Sequence, residues 1–359
     1  MFERSPWSRR QFLGNGGLII AAVALTPSLL EACGSPNPAA TGPGKLVYAG
    51  YGGSYNTKVT QVWWTPFQSA TGIDVTVTPG AEAIAQMSEM VKANATQWDV
   101  VNAFGPTFGQ MISLGLLEKL DYSVIDTSDL ASPDYKNPYG VAFDLYSHNI
   151  FWNTKAFAGP LLSWADVWDV KRFPGKRGFQ KVPYFTLEVA LVADGVPIHS
   201  IYPLDLDRAF RSLDKIKPHA VFSDLNSLNN LVAQQEVVTG DLNLSRVQTA
   251  IKDGVPLQYN WHQAMVDAEE LVVLKGAPDK ANAMKAVAFT LKPETQLKMV
   301  EILNYAPTVK KAIAGLTASQ RADLPGTPET QNDSFLLNSD WWAKNGSTAQ
   351  SRFEQWLAG

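Results

Sequence analysis

Cysteine is nearly absent from this sequence: the 359 residues contain one, Cys33. No disulfide can form within the chain, and no cysteine pair is available to hold zinc. The four histidines lie far apart and no His-Glu-x-x-His motif occurs, so we expect neither a metal nor a cofactor.

A net positive charge is also lacking. The 30 Lys and Arg residues are outnumbered by 34 Asp and Glu, which gives a formal net charge of −4. Because proteins bind nucleic acid and anionic lipid through basic surfaces, this balance argues against a nucleic-acid partner.

The apolar run near the N-terminus is too short for a membrane-spanning helix. It covers residues 18–25, whereas a bilayer requires ~20 residues. It follows Arg4, Arg9 and Arg10, and this order of basic and apolar segments is typical of a cleavable signal peptide, which we place at residues 1–32.

Two short motifs refine this prediction. Residues 8–13, Ser-Arg-Arg-Gln-Phe-Leu, resemble a twin-arginine export signal, and residues 30–33, Leu-Glu-Ala-Cys, resemble a bacterial lipobox. Cys33 would then carry a lipid, and residues 33–42, rich in Gly, Pro, Ser and Ala, would form a tether. The alternative is a cysteine that merely ends the signal. We expect a lipid-anchored protein in the periplasm or on the extracytoplasmic face of the cytoplasmic membrane.

The rest of the chain alternates between strand and helix patterns. Its length is sufficient for about two domains. The apolar spacing predicts, in order, a strand, a helix, a strand, a helix and a strand at residues 45–49, 59–70, 73–77, 84–91 and 98–101. This β-α-β-α-β order is typical of an open, largely parallel sheet, so we predict an α/β fold with two lobes.

Farther along the chain the patterns are less regular. Residues 135–139 and 141–152 look extended, and residues 175–183 look like a loop. The apolar spacing predicts four more helices at residues 206–216, 279–291, 294–303 and 348–357.

A glycine-rich turn follows the first predicted strand. It reads Gly-Tyr-Gly-Gly-Ser-Tyr over residues 50–55, and Tyr55 occupies the place where a dinucleotide fingerprint needs its third glycine. Two interpretations stay open: a structural strand-to-helix turn, or a turn that contacts a ligand at the carboxyl end of a strand.

Trp261 lies between Asn260 and His262 in a polar segment. An apolar ring with flanking hydrogen-bonding groups suits an organic cation or a sugar-like solute. The alternative is a ring that packs in the core.

Several segments, taken together in their order, resemble family 1 extracellular solute-binding proteins of ABC importers, in particular their spermidine/putrescine-binding branch. They lie at residues 48–73, 98–101, 115–117, 164–168, 275–277 and 304–308. The resemblance implies a periplasmic-binding-protein-like fold, with two α/β lobes and a ligand cleft between them. It places lobe 1 at residues 43–145 and 262–305 and lobe 2 at residues 146–261 and 306–359.

The resemblance also implies a function. The protein would be a monomer without enzymatic activity that captures a polyamine or a related amine and passes it to an ABC permease in the cytoplasmic membrane. Trp261 would stack on the ligand and Asp267 would pair with its cationic end. The expected ligand-binding residues are Tyr51, Ser54, Tyr55, Phe104, Asp144, Glu188, Trp261 and Asp267.

Alternatives to a polyamine follow from one departure. The acidic pair that the family offers in its second lobe falls here on apolar positions around Val182 and Phe185, with Glu188 close by. A diammonium ligand needs a charge partner at each end, so a smaller or zwitterionic amine, an opine, another amino-acid derivative or a sugar stays open. An exported α/β hydrolase that uses Ser54, or Asp144 with Glu188, is a further alternative.

Overall fold

The computed structural model describes residues 44–359. The predicted signal peptide, the predicted lipid attachment at Cys33 and the predicted tether lie outside the described residues. Among residues 44–359, no helix combines the length and the apolar character that crossing a membrane requires.

Twelve strands pair into a single sheet within the described residues. They are β1 Lys45–Gly50, β2 Asp74–Pro79, β3 Val100–Phe104, β4 Lys136–Asn137, β5 Gly140–Asn153, β6 Arg177–Gln180, β7 Ala220–Ser223, β8 Thr239–Asn243, β9 Leu257–Tyr259, β10 Ala264–Val273, β11 Ala306–Pro307 and β12 Ser334–Leu336.

Helices cover the sheet. Those in the described residues are α1 Gly53–Val59, α2 Thr65–Thr71, α3 Ile84–Lys92, α4 Gly105–Ser113, α5 Trp164–Trp168, α6 Thr186–Ala193, α7 Leu206–Ile216, α8 Leu225–Ala233, α9 Leu244–Lys252, α10 Lys280–Thr290, α11 Pro293–Leu303, α12 Lys310–Gly315, α13 Ala318–Ala322 and α14 Ser339–Ala358. A π-helical turn, Thr60–Trp64, joins α1 to α2.

The sheet contains two parallel groups of strands. Its order is β2-β1-β3-β10-β5-β8-β6-β7. Strands β1, β2 and β3 are parallel to one another, as are β6, β7 and β8. Antiparallel β10 and β5 lie between the groups. The predicted parallel β-α-β-α-β unit is therefore confirmed in the first group.

Strand β5 is the long central element. All its 14 residues are buried, and its partners are β10 on one side and β8 and β9 farther along. Every residue of β10 is buried as well. A strand covered on both faces is normally a nearly continuous apolar run, so the acidic residues within these two strands stand out.

The prediction of a loop at residues 175–183 is wrong, because β6 lies there. This strand begins with a charged residue, Arg177, so it lacks the apolar pattern by which strands are predicted. The Arg177 side chain is nevertheless fully buried, since its guanidinium donates hydrogen bonds to the backbone carbonyls of Val167, Gly175 and Phe173. Backbone acceptors in α5 and in the loop that follows it thus replace the water that the guanidinium leaves.

The predicted helices are confirmed, with two changes of length. The helical segment predicted from residue 59 begins at Gly53, six residues earlier. The C-terminal helix begins at Ser339, nine residues before the predicted start at residue 348. The side chain of Asn338 accepts a hydrogen bond from the N–H of Trp341 at 2.8 Å, and this cap fixes the true start.

Candidate functional site

A cavity of about 380 Å³ lies at the carboxyl ends of parallel strands from both groups. Tyr51 follows the end of β1, and Phe104 ends β3. On the other side, Gln180 ends β6 and Asn243 ends β8. All four residues line the cavity. Open α/β sheets bind ligands at this edge, which makes the cavity the candidate site.

Aromatic rings form much of the cavity wall. Seven side chains contribute: Tyr51, Tyr55, Phe104, Tyr146, Tyr184, Phe185 and Tyr305. Edge-to-face contacts connect several of these rings; the Tyr51 and Tyr55 ring centroids, for example, are 5.0 Å apart. Such a wall excludes water and presents ring faces that attract cations.

Carboxylates converge beneath this wall because of the register between β5 and β10. Asp144 pairs with Glu269, and Tyr146 pairs with Asp267. Residues opposite each other in an antiparallel pair project to the same face, and so do residues two apart on a strand. Asp144, Asp267 and Glu269 therefore share one face, and we call them the acidic triad.

Glu269 is the member of the acidic triad that lines the cavity. Its carboxylate accepts hydrogen bonds from the Tyr55 hydroxyl at 3.3 Å and from the side-chain amide of Asn102 at 3.0 Å. Burial raises the pKa of Glu269 to about 8, partly offset by these hydrogen bonds.

Asp267 does not line the cavity, although Tyr146, whose hydroxyl contacts it, does. It accepts hydrogen bonds from the Tyr146 hydroxyl at 2.8 Å, from the Gly105 N–H at 3.2 Å and from the Ala268 N–H at 3.0 Å. Burial raises its pKa to about 7 against the effect of these bonds. Asp267 is thus fixed by the protein itself.

The carboxylate of Asp144 has no hydrogen-bond partner in the described residues and no contact with solvent. It is fully buried, and no hydrogen-bond partner for either carboxylate oxygen exists within residues 44–359. Burial first, and the charge of Glu269 second, raise its pKa well above the ordinary value. No Lys or Arg of the described residues forms a salt bridge with the acidic triad.

Positive charge reaches the cavity from α9. Arg246 lines it, and within the described part of the chain its guanidinium has no salt bridge and no side-chain hydrogen bond. Neutral hydrogen-bonding side chains surround it: Gln180, Asn226, Asn243 and Ser245. The cavity therefore offers a buried carboxylate from β10 and an unpaired guanidinium from α9.

A buried histidine supports the aromatic wall. The Nδ1 atom of His148 lies 2.7 Å from a carboxylate oxygen of Asp241, and the imidazole stacks on the ring of Phe185 with centroids 3.8 Å apart. Phe185 has a φ of 65°, in the left-handed region that costs a non-glycine residue energy. Stacking on His148 holds Phe185 in this position at the start of α6.

Three of the predicted ligand-binding residues, Tyr51, Tyr55 and Phe104, line this cavity. Ser54 is exposed on the first turn of α1 and does not. Glu188 is fully buried in α6, where one of its oxygens accepts hydrogen bonds from the Tyr202 hydroxyl and the Trp342 indole, both at 2.8 Å.

Trp261 also lies outside the cavity lining. Its indole N–H donates a hydrogen bond to the carbonyl of Ala322 at 2.8 Å, and its ring packs edge-on against Tyr259. The structure therefore does not bring Trp261 to the carboxylates of β10.

The sequence interpretation missed two charged residues, Glu269 and Arg246. Glu269 had a signal, because it follows Asp267 by two residues in an apolar run and strand periodicity places both on one face. Arg246 follows the end of β8 by three residues, but no strand was predicted at residues 239–243, so this signal was not available.

Comparisons with known proteins identify the family of this chain. Residues 63–328 match the family model described as bacterial extracellular solute-binding protein. The gamma-aminobutyric acid-binding protein of Pseudomonas aeruginosa is 31% identical over 319 residues, 87% of this chain and 91% of that protein. The spermidine/putrescine-binding periplasmic protein of Escherichia coli is 24% identical over 243 residues, 65% and 66% of the two chains.

A solved structure extends the comparison to the fold. The binding protein AgtB of A. tumefaciens R10, in complex with agropinic acid, superposes with a TM-score of 0.78 and is 30% identical, covering 88% of this chain and 99% of AgtB. The chain thus has the two-lobed fold of periplasmic binding proteins, whose members are transport receptors for ABC importers rather than enzymes. Since the family model covers most of its length, this chain belongs to the bacterial extracellular solute-binding protein family.

Proposed function

We propose that this receptor captures a small zwitterionic amine, one that carries an ammonium and a carboxylate, and delivers it to an ABC permease. The observation that carries this proposal is the presence of Glu269 and an unpaired Arg246 in one cavity. In this arrangement Glu269 accepts the ammonium, and Arg246 binds the carboxylate through two parallel hydrogen bonds.

Desolvation explains why both charges matter. Transfer of a charged group from water to a closed cavity has a large unfavourable free energy unless an opposite charge and hydrogen bonds replace the water. The aromatic rings add cation–π attraction at the ammonium end. The amides and hydroxyls near Arg246 serve the remaining polar atoms of the solute.

Two relatives are connected by name or title with solutes that contain an acid group. The relative from Pseudomonas aeruginosa is named for gamma-aminobutyric acid, and AgtB holds agropinic acid. Gamma-aminobutyric acid has both an amine and a carboxylic acid, which fits a cavity with charges of both signs, and the acid group of agropinic acid fits Arg246.

A polyamine is the second candidate. Glu82 also lines the cavity, so two carboxylates are available there for the two ends of a diammonium. The relative from Escherichia coli is named for spermidine and putrescine. Arg246 argues against this candidate, because its unpaired positive charge repels a second ammonium.

Calorimetry with paired variants tests the proposal. Gamma-aminobutyrate, agropinate, putrescine and spermidine are titrated into the wild type, Arg246→Gln and Glu269→Gln. Loss of a charge-assisted hydrogen-bond partner costs about 1.5 to 3 kcal/mol, so each variant should bind a zwitterion about ten- to hundredfold more weakly. Arg211→Gln, an exposed change on α7, serves as the control.

The two candidates give opposite results. For a zwitterion, Arg246→Gln weakens binding; for putrescine, the same change leaves binding unchanged or improves it. A wild type that binds only polyamines refutes the zwitterion proposal. So does zwitterion affinity that Arg246→Gln leaves unaltered.

We further propose that the lobe boundaries are those expected from the resemblance, with residues 43–145 and 262–305 in lobe 1 and residues 146–261 and 306–359 in lobe 2. The two parallel strand groups on either side of β5 support this division. The receptor would work as a monomer.

We also propose a lipid anchor at Cys33, on the extracytoplasmic face of the membrane. The lipobox-like residues 30–33 support it. If the anchor exists, Cys33→Ser moves the protein from the membrane fraction to the soluble fraction of the cell envelope; an unchanged distribution contradicts it.

A further inference from the structure

The acidic triad is unusual because no Lys, Arg or His within the described residues forms a salt bridge with it, although the imidazole of His148 interacts electrostatically with Asp267. All three carboxyl groups are at least nine-tenths buried: Asp144 is 0% exposed, Asp267 1% and Glu269 6%. Asp144 and Glu269 are direct register partners on adjacent strands. Residues so paired have Cβ atoms about 5 Å apart, so two ionised carboxylates at these positions repel each other in a dry environment.

The surrounding side chains do not remove this repulsion. The groups that interact electrostatically with Glu269 are phenols and acids from β1, α1, β5, β10 and the segment after α11: Tyr48, Tyr51, Tyr55, Asp144, Tyr146, Asp267, Glu270 and Tyr305. The other charged or titratable groups that line the cavity are Glu82, His148, Tyr184 and Arg246. An empty cavity therefore favours protonated carboxyls on the triad.

We propose that solute capture is coupled to proton release: Glu269 holds a proton while the cavity is empty, and the solute's ammonium displaces that proton into solvent. This inference rests on the proposed function, since it requires a cationic group at Glu269. The exchange is balanced in charge, because one proton leaves the carboxyl group as one ammonium arrives beside the resulting carboxylate.

The coupling has a definite sign. Protons released on binding make affinity rise with pH, by at most about tenfold per pH unit for one proton. The raised pKa of Glu269, about 8, and that of Asp267, about 7, place this rise between about pH 6 and pH 8. The receptor would therefore hold its solute more weakly in acidic surroundings.

Calorimetry of the wild-type protein tests the coupling directly. Gamma-aminobutyrate keeps its ammonium and carboxylate charges across this range, so it contributes no proton of its own. Binding at pH 7.5 is measured in two buffers of different ionisation enthalpy, and the difference in apparent enthalpy gives the number of protons exchanged. A release of at least 0.3 proton is expected; no exchange, or uptake, overturns the proposal.

Proton release on binding, measured in two variants, identifies the group that releases the proton. Glu269→Gln and Arg246→Gln both weaken binding, but Glu269→Gln alone should abolish proton release. If release persists in Glu269→Gln and disappears in His148→Gln, the proton belongs to the imidazole and the proposal is wrong.

A titration without ligand separates this inference from the proposed function. In the empty protein, Glu269→Gln should remove one titrating group between about pH 6 and pH 9, as measured by the difference in proton uptake from the wild type. An unchanged titration curve refutes the inference even where gamma-aminobutyrate binds. If no zwitterion binds but the curves differ, only the proposed function fails.

Discussion

The most informative test of stability concerns Glu188, which lies away from the cavity wall. Its carboxyl group is 0% exposed; one oxygen accepts two hydrogen bonds and the other has no partner in residues 44–359. Burial raises its pKa from 4.5 to about 7. The hydrogen bonds from Tyr202 and Trp342 oppose this rise without cancelling it.

The pKa difference has a stability consequence with a fixed sign. A group whose pKa is higher in the folded state stabilises the fold below its unfolded pKa, and this stability is lost as pH rises through the folded pKa. For Glu188 the loss between pH 5 and pH 8 is about 2.5 kcal/mol, since one pKa unit corresponds to about 1.4 kcal/mol. In Glu188→Gln the amide oxygen can accept both hydrogen bonds, and the group no longer titrates.

Urea denaturation of solute-free protein at pH 5 and pH 8 measures this effect. The free energy of unfolding of the wild type should fall by about 2.5 kcal/mol more than that of Glu188→Gln over this interval, because all other groups cancel in the comparison. Glu354→Gln, an exposed change on α14, should match the wild type at both pH values. Equal pH dependence in the wild type and Glu188→Gln would refute the argument.

Two further outcomes follow from the structure. Gly240→Ala should lower the free energy of unfolding, measured by urea denaturation, by more than about 3 kcal/mol, because Gly240 has a φ of 147° and an added Cβ would collide with the backbone of Gly178. In the control, Gly159→Ala, the added Cβ meets no other atom, so stability should not change. Equal stability of the two variants would contradict this prediction. Trp261→Phe should lower the free energy of unfolding by about 1 kcal/mol, because the indole hydrogen bond to Ala322 is lost. Solute affinity should change less than twofold. A tenfold loss of affinity would support the predicted stacking of Trp261 on the solute.

The sequence predicted the first half of the fold because its pattern is regular. Strands β1 to β3 and their helices show clear apolar periodicity, and α2 ends at Thr71, one residue after the predicted end, with Gly72 at a φ of 72° as its cap. Strand β6 was not predicted because it begins with Arg177, whose buried guanidinium donates hydrogen bonds to backbone carbonyls before the strand. A local pattern does not contain contacts of that kind.

The sequence predicted cavity-lining residues mainly where they lie at the carboxyl ends of predicted strands. Tyr51 was predicted because open α/β sheets bind ligands at the turn after a parallel strand, and Phe104 was expected from the family resemblance; both line the cavity. Family resemblance indicated Asp267, but the structure places Glu269 at the cavity, and the Tyr146 hydroxyl occupies the approach to Asp267. The contribution of α9 depends on how β8 pairs with β5, which no periodicity reveals.

The long pairing of β5 with β10 also determines how the chain must fold. Strand β3 ends at Phe104 and β5 ends at Asn153, yet both pair with β10, which ends at Val273. A nascent chain therefore leaves β3 and β5 with open edges until most of the protein has been synthesised. Contacts so distant in sequence favour slow folding, and the partly made chain depends on protection of those edges until β10 arrives.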